Sequence, residues 1–168
     1  MTMNKRSQAW GIDLIFGIMI FSVGIMIFFI YSVNQSGETK ESLVNLGHDG
    51  DNILSNLLSD GYPTDWNSSN VIEIGILSNN KINETKLERF YNFTINNYAQ
   101  TRSIFKTRYN YYLSFDNMTI NSIVIDGIGK PGVNRTNLNI NATNLIKITR
   151  LSIYKDKPAT IYLYVWEE

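Results

Sequence analysis

The longest uninterrupted apolar stretch of the chain lies near its start. From Leu14 to Val33 it reads LIFGIMIFSVGIMIFFIYSV, twenty residues without a charge. Coiled as an α-helix, such a run rises roughly 30 Å, the thickness of a bilayer's hydrocarbon core. A core helix of a globular domain normally keeps one polar face, whereas here only Ser22 and Ser32 interrupt the apolar surface. The pattern predicts a transmembrane helix. Beyond it, Leu43, Leu46, Ile53, Leu54, Leu57 and Leu58 fall within an arc of about 140° at 100° per residue, one apolar stripe on a helix that continues the anchor. Gly37, Gly47 and Gly50 each weaken that helix by about 1 kcal/mol relative to alanine, so a flexible or broken junction is expected there. Asp60-Gly61-Tyr62-Pro63 marks its end, because glycine permits a left-handed cap and proline cannot continue the ladder.

The remainder mixes the two periods. Val71 to Leu77 reads as a strand and Asn79-Asn80 as a turn. A helix follows from about Asn83 to Tyr98 with Leu87, Phe90, Tyr91 and Ile95 on one side, and a second helical stretch runs on to Phe105. Tyr109, Tyr111, Leu113 and Phe115 alternate with Arg108, Asn110, Tyr112 and Ser114, the period of a half-buried strand. Ser122 to Asp126 forms another short strand, and Gly127 to Gly132 a turn. A final hairpin pairs Leu145–Tyr154 with Ala159–Trp166 through Lys155-Asp156-Lys157-Pro158. In its last strand Ile161, Leu163 and Val165 face one way and Tyr162, Tyr164 and Trp166 the other, so both sides should be covered, one by the long helix and the other by a neighbouring subunit. The fold class is α+β: an N-terminal transmembrane helix continuing into an amphipathic helix, packed on an antiparallel β-sheet head. The expected divisions are a cytoplasmic leader at 1–7, the transmembrane helix at 8–33, a neck helix at 34–60 and an extracytoplasmic head at 61–168.

Charge sets the orientation. Lys5 and Arg6 precede the apolar run, while Glu38, Lys40 and Glu41 after it carry no positive excess, so the N-terminus belongs in the cytoplasm and the head outside. Trp10 and Tyr31 bracket the run as interfacial aromatics do. Acidic and basic residues balance at 15 each, which leaves no basic surplus for nucleic acid. Cysteine is absent, which removes thiolate metal sites, a thiol nucleophile and a disulfide framework.

The run is too long for a cleaved secretory signal, and it ends without a small-residue cleavage site. Its leader, MTMNKRS followed by QAWGIDLIFG, resembles the class III signal of archaeal type IV pilins. In that family a prepilin peptidase cuts between a basic-plus-small pair and a glutamine, which here implies a cut between Ser7 and Gln8. The segment LLSDGYPTDW, Leu57 to Trp66, resembles a recurrent GYPxxW-type element of archaeal pilin-like proteins, and Val71 to Phe90 continues the likeness. Trp66 is expected to plug the core beside the turn. The resemblance also gives Asp13 a role, as the acidic residue near the mature N-terminus that pairs with a neighbouring subunit's terminal amine during assembly. Asp13 is sixth counting from Gln8 and fifth counting from Ala9. From the residues alone, an aspartate hydrated at the interface near Lys5 and Arg6 is the competing reading, although an ionisable group inside an apolar helix is functional by default.

What the resemblance implies is a subunit, a minor one, of an archaeal type IV filament. Its partners would be the lipid bilayer, other pilin subunits, prepilin peptidase, and a pilus assembly ATPase with its membrane platform. The alternative is a permanently anchored cell-surface binding protein or adhesin that never polymerises.

Catalytic and cofactor chemistry is not expected. The single histidine, His48, lies between Gly47 and Asp49 with no serine or cysteine motif to serve, and His48, Asp49 and Asp51 lack a recognised ligand spacing. Glu84 and Glu88, with Lys86 and Arg89 nearby, read as a solvated helix face. GIGKPG has the spacing of neither phosphate-binding fingerprint. Seven N-x-S/T sequons begin at Asn34, Asn67, Asn83, Asn92, Asn117, Asn134 and Asn141. With 21 asparagines and 26 serines plus threonines in the chain, chance alone gives about three such motifs. Asn117, Asn134 and Asn141 are the preferred glycan acceptors, because they fall in expected loops.

Overall fold

A computed structural model describes residues 5–138 and 142–168, with side chains placed for 11–32, 41–138 and 142–168. The chain divides into two compact units, Met1–Glu41 and Ser42–Glu168. The long helix α1, Lys5–Leu57, contributes to both and runs through Gly47 and Gly50 without a break. Among the described residues, one stretch, Gly11–Ser32, is long and apolar enough to cross a membrane, and none of it is buried. The protein is thus α+β with an N-terminal apolar helix and antiparallel sheets.

In the second unit, α1 gives Leu46, Ile53, Leu54 and Leu57 to the core, all fully buried, and Leu58 packs against it just past the helix end. Leu43 leaves the expected stripe and is 40% exposed. Gly50 is not a weak joint but a contact. A Cβ there would come within 2.5 Å of Ile148 Cδ1 and 3.2 Å of Val165 Cγ2, so a larger residue would have to displace the Ile148 side chain for the helix to lie this close to the sheet.

That sheet is four-stranded and antiparallel, in the order β6 (Ile128–Gly129), β3 (Asn110–Phe115), β8 (Lys157–Glu167) and β7 (Asn144–Tyr154). Tyr111, Val165 and Ile146 align across it, as do Leu113, Leu163 and Ile148. The hairpin β7–β8 turns on two residues, Lys155 and Asp156, with φ of 50° and 59°, the left-handed pair of a type I′ turn. The expected four-residue link is therefore too long: Lys157 and Pro158 belong to β8. Proline is tolerated because β8 extends there beyond the end of β3. β3 is not half-buried as its alternation suggested. All six of its residues are buried, since it has a strand on each side and covered faces above and below. The turn expected at Gly127–Gly132 yields its first part to the sheet, where Ile128 and Gly129 pair with Leu113 and Tyr112.

The second face of β8 is covered at one end by the chain itself. Trp166 is buried with Tyr112 and Leu138, and Val133, Ala142, Leu145 and Tyr164 pack around them. Tyr162 stays half-exposed, with the Lys147 ammonium 4.0 Å from its ring centroid.

Helix α2, Glu84–Ile104, is interrupted at Asn97 (φ −143°, ψ 52°), which separates the two helical stretches the sequence suggests. Asn83 caps it, its side-chain oxygen accepting from the Lys86 backbone N–H at 3.1 Å. Its inner face is Leu87, Phe90, Phe93, Thr94 and Thr101; Ile95, expected inside, is 52% exposed. Phe90, Tyr98 and Phe105 surround the Tyr111 ring. The Tyr111 hydroxyl lies 2.6 Å from Thr101 Oγ1, and burial pushes its pKa well above the ordinary phenol range. Burial likewise pushes the Tyr98 phenol up to about 12.

Val71–Leu77 does not form the expected strand. Its backbone donors turn to the carbonyls that the end of α1 leaves open: Ile76 N–H to Leu57 O at 2.8 Å and Leu77 N–H to Ser59 O at 2.9 Å. Ladder pairing is confined to the bridge Tyr62–Glu73 and to the small hairpin of β1 (Leu77–Ser78) and β2 (Lys81–Ile82). A similar hairpin joins β4 (Thr119–Ile120) to β5 (Ile123–Val124).

Of the solvated face expected at Glu84 and Glu88 with Lys86 and Arg89, Glu84 is exposed and Glu88 half-buried, but the two basic residues turn to the protein. Lys86 is only 7% exposed, and its ammonium donates to Asp60 O at 2.8 Å and Leu77 O at 2.7 Å. Arg89 Nη1 donates to Asp65 O at 3.1 Å and Trp66 O at 2.9 Å. The two side chains clamp the segment after α1 onto α2. Lys86→Met keeps most of the aliphatic volume but leaves two carbonyls without their donor. It should cost about 1–3 kcal/mol in denaturant unfolding, and a shift below about 0.5 kcal/mol, within the ordinary scatter of surface substitutions, would show the clamp to be dispensable.

Candidate functional site

The residues singled out from the sequence fall in three places. The first is α1. Ser7 and Gln8 lie in its opening turns, and their side chains are outside the described set. Asp13 sits two residues into the Gly11–Ser32 stretch, exposed, between Ile12 and Leu14, which are 54% and 65% exposed. From Ile12 to Tyr31 large aliphatic and aromatic side chains are bare on every side of the helix. Gly11, Gly17 and Gly24 have open space where a Cβ would stand. This surface is apolar and unburied along its length and carries one carboxylate, that of Asp13, among the described side chains.

The second place is the neck. His48 Nδ1 meets the Asn52 amide at 3.1 Å, Asp49 accepts from Thr107 Oγ1 at 2.8 Å, and Asp51 pairs with Arg150 at 3.0 Å. The three side chains thus take separate protein partners. Among the described residues no three His, Asp or Glu side chains converge where a metal would sit. Near the start of the second unit, Ser42 Oγ donates to Glu167 at 2.8 Å, and Ser42 with Asn144 holds that carboxyl below the usual glutamate range.

The third place is the head surface with its sequons. Asn117 occupies an exposed left-handed turn (φ 58°) between β3 and β4. Asn134 is exposed in the segment after β6, where Arg135 bridges Asp116 at 3.4 Å and Asp126 at 3.6 Å. Asp126 also accepts from the Tyr112 hydroxyl at 2.7 Å; burial, then that bond to a carboxylate, raise the phenol's pKa. Asn141 lies outside the described residues. A cleft of about 200 Å³ is lined by the amides of Asn67, Asn92, Asn96 and Asn97 together with Ser68 and Arg89.

Sequence reasoning missed Gly50, Gly75, Lys86 and Arg89 as structural residues, and it missed that Asn67 stands as open as Asn134. No family model, curated protein or solved structure matches this chain.

Proposed function

We propose that this protein is a pilin-like subunit, a minor one, of an archaeal type IV filament, anchored by α1 before assembly and held by it afterwards. One observation carries the reading: a single helix supplies both a bare apolar stretch with one carboxylate, Gly11–Ser32 with Asp13, and the central core helix of the head through Leu46, Ile53, Leu54 and Leu57. An anchor that is also a core element keeps the head attached to whatever the apolar surface joins. In lipid that surface meets acyl chains; in a filament it would meet the same helix of other subunits, where packing replaces lipid contact. Lys5 and Arg6 orient the N-terminus toward the cytoplasm and the head outward. The leader's resemblance to a class III signal assigns processing to Ser7 and Gln8, and the role is structural rather than enzymatic.

The test is the intact N-terminus of the protein from native membranes, read by mass spectrometry with and without prepilin peptidase. The expected product begins at Gln8 only when the peptidase is present. An unprocessed N-terminus in both samples would sink the pilin reading and leave a permanently anchored surface protein.

A further inference from the structure

We propose that Asn67 and Asn134 are the N-glycan acceptors of the head, and that Asn83, Asn92 and Asn117 are passed over although they carry the same tripeptide signal. This rests on the outward placement of the head proposed above and not on its assembly into a filament. In the transfer, asparagine Nδ2 bonds to C1 of a sugar carried on a polyprenyl phosphate or diphosphate. The C1–O bond to the phosphate breaks, the lipid phosphate leaves with that electron pair, and the amide proton passes to a base of the transferase. The enzyme must reach the amide and the hydroxyl two residues on at the same time, so both must be open on one side of the chain.

The five described sequons differ in this respect. At Asn134 both groups are exposed, and the side-chain oxygen accepts from Thr136 N at 3.0 Å and from Thr136 Oγ1 at 2.7 Å. Amide and hydroxyl therefore already stand together. At Asn67 both residues are again exposed, and Oδ1 accepts from Ser69 N at 2.8 Å. In each case the oxygen is engaged while Nδ2, the atom that would carry sugar, makes no hydrogen bond among the described residues.

The other three fail for separate reasons. Asn92 lies within α2, where residues two apart point about 200° away from each other, and Thr94 is fully buried. Asn83 is half-buried at the start of α2, its backbone N–H held by Ile76 O at 2.8 Å, so it lacks the openness of Asn67 and Asn134. At Asn117 the asparagine is open, but Thr119 is half-buried in β4, its hydroxyl held by Tyr154 OH at 2.8 Å and Lys155 Nζ at 2.9 Å. The proposal therefore departs from the sequence preference for Asn117, which rested on its loop position alone. Asn34 and Asn141 lie outside the described side chains and are not assigned.

The experiment is site-by-site occupancy by mass spectrometry of chymotryptic peptides, on full-length protein from cells in which another exported protein carries sequon-linked sugar. Sugar is expected on most copies at Asn67 and Asn134, with Asn83, Asn92 and Asn117 bare. Ser69→Ala and Thr136→Ala should each remove the sugar at their own site only. Comparable occupancy at Asn92 would mean that transfer precedes folding, and would overturn the assignment, as would bare Asn67 and Asn134. Protease added to intact cells separates the two levels. Bare acceptors on a head that protease reaches defeat the glycan assignment alone, whereas a head it cannot reach defeats the outward placement as well.

Discussion

Trp66→Ala should lower the unfolding free energy of the head by about 3–5 kcal/mol, a large share of the roughly 5–15 kcal/mol a domain has. The indole is fully buried, and its Nε1 donates to Gly75 O at 2.8 Å. Its own backbone is fixed on both sides, N–H to Pro63 O at 3.0 Å and carbonyl to Arg89 at 2.9 Å. Removing the ring opens a cavity where the end of α1, the Gly61–Trp66 turn and the 73–76 segment meet, and none of these can close on it without losing those bonds. Trp66→Phe divides the effect. It keeps much of the packing but leaves the Gly75 carbonyl without its donor, so about 1–3 kcal/mol should remain. Gly75→Ala should be as damaging as Trp66→Ala, because a Cβ would collide with the backbone of Gly61 and Ser59. Gly61 is constrained in return by its φ of +71° and by the Gly75 N that a Cβ would meet at 2.7 Å. Gly47 is the control. Nothing lies within 4 Å of its Cβ position, so Gly47→Ala should stabilise α1 by up to about 1 kcal/mol. Guanidinium unfolding of the full chain in detergent, followed by far-ultraviolet circular dichroism, measures all four. A loss below about 1 kcal/mol for Trp66→Ala, less than one buried hydrogen bond's donor is worth, would mean that the turn is held by other means.

These residues mark where the sequence was legible. The apolar run, most of the stripe expected from Leu43 to Leu58, the two helical stretches of α2 and the hairpin of β7 with β8 follow from patterns within a window of roughly eighteen residues, the range over which periodicity speaks. Lys86 against Asp60 and Gly50 against Ile148 are crossings between distant parts of the chain, and Gly75 against Gly61 and Lys86 against Leu77, though nearer in sequence, follow no helix or strand period, so no local pattern announces them. Lys86 and Arg89 sit at helix spacings that elsewhere face water; what draws them in is the carbonyls of the segment after α1, those of Asp60 and Leu77 for Lys86 and those of Asp65 and Trp66 for Arg89. β3 misleads in the opposite sense. Its alternation of apolar and polar residues describes one covered face, but Ser114 and Asn110 are buried on the other. The sequons teach the same lesson at smaller scale, since three letters state that a hydroxyl is present and not that Tyr154 and Lys155 hold it.

Asp13→Ala should leave processing, membrane retention and the head's stability unchanged while cutting the fraction of subunits found in filaments at least tenfold, the equivalent of about 1.4 kcal/mol per subunit. The substitution removes no core contact of the head, because Asp13 belongs to the first compact unit and the described core residues to the second. In a bilayer a carboxylate near the middle of a helix costs about 2.5–3.5 kcal/mol on insertion scales, less toward the interface. Alanine removes that cost, so the variant should enter membranes at least as well as the parent, and any loss must arise after insertion. A filament would reverse the sign, since the same carboxylate, paired with the terminal amine of a neighbouring processed subunit, becomes a registration point between helices that otherwise present only aliphatic and aromatic surface. Asp13→Glu, which keeps the charge on a longer stem, should recover part of the assembly, whereas Asp13→Asn, nearly the same shape without the charge, should not. The assay compares filament and membrane fractions of native cells by quantitative immunoblot, beside the N-terminal mass measured for each variant. Equal filament fractions for the parent chain, the Asp13→Ala chain and the Asp13→Asn chain would identify the residue as an interfacial aspartate hydrated near Lys5 and Arg6, and would remove the one side chain of the apolar helix to which an assembly role is assigned.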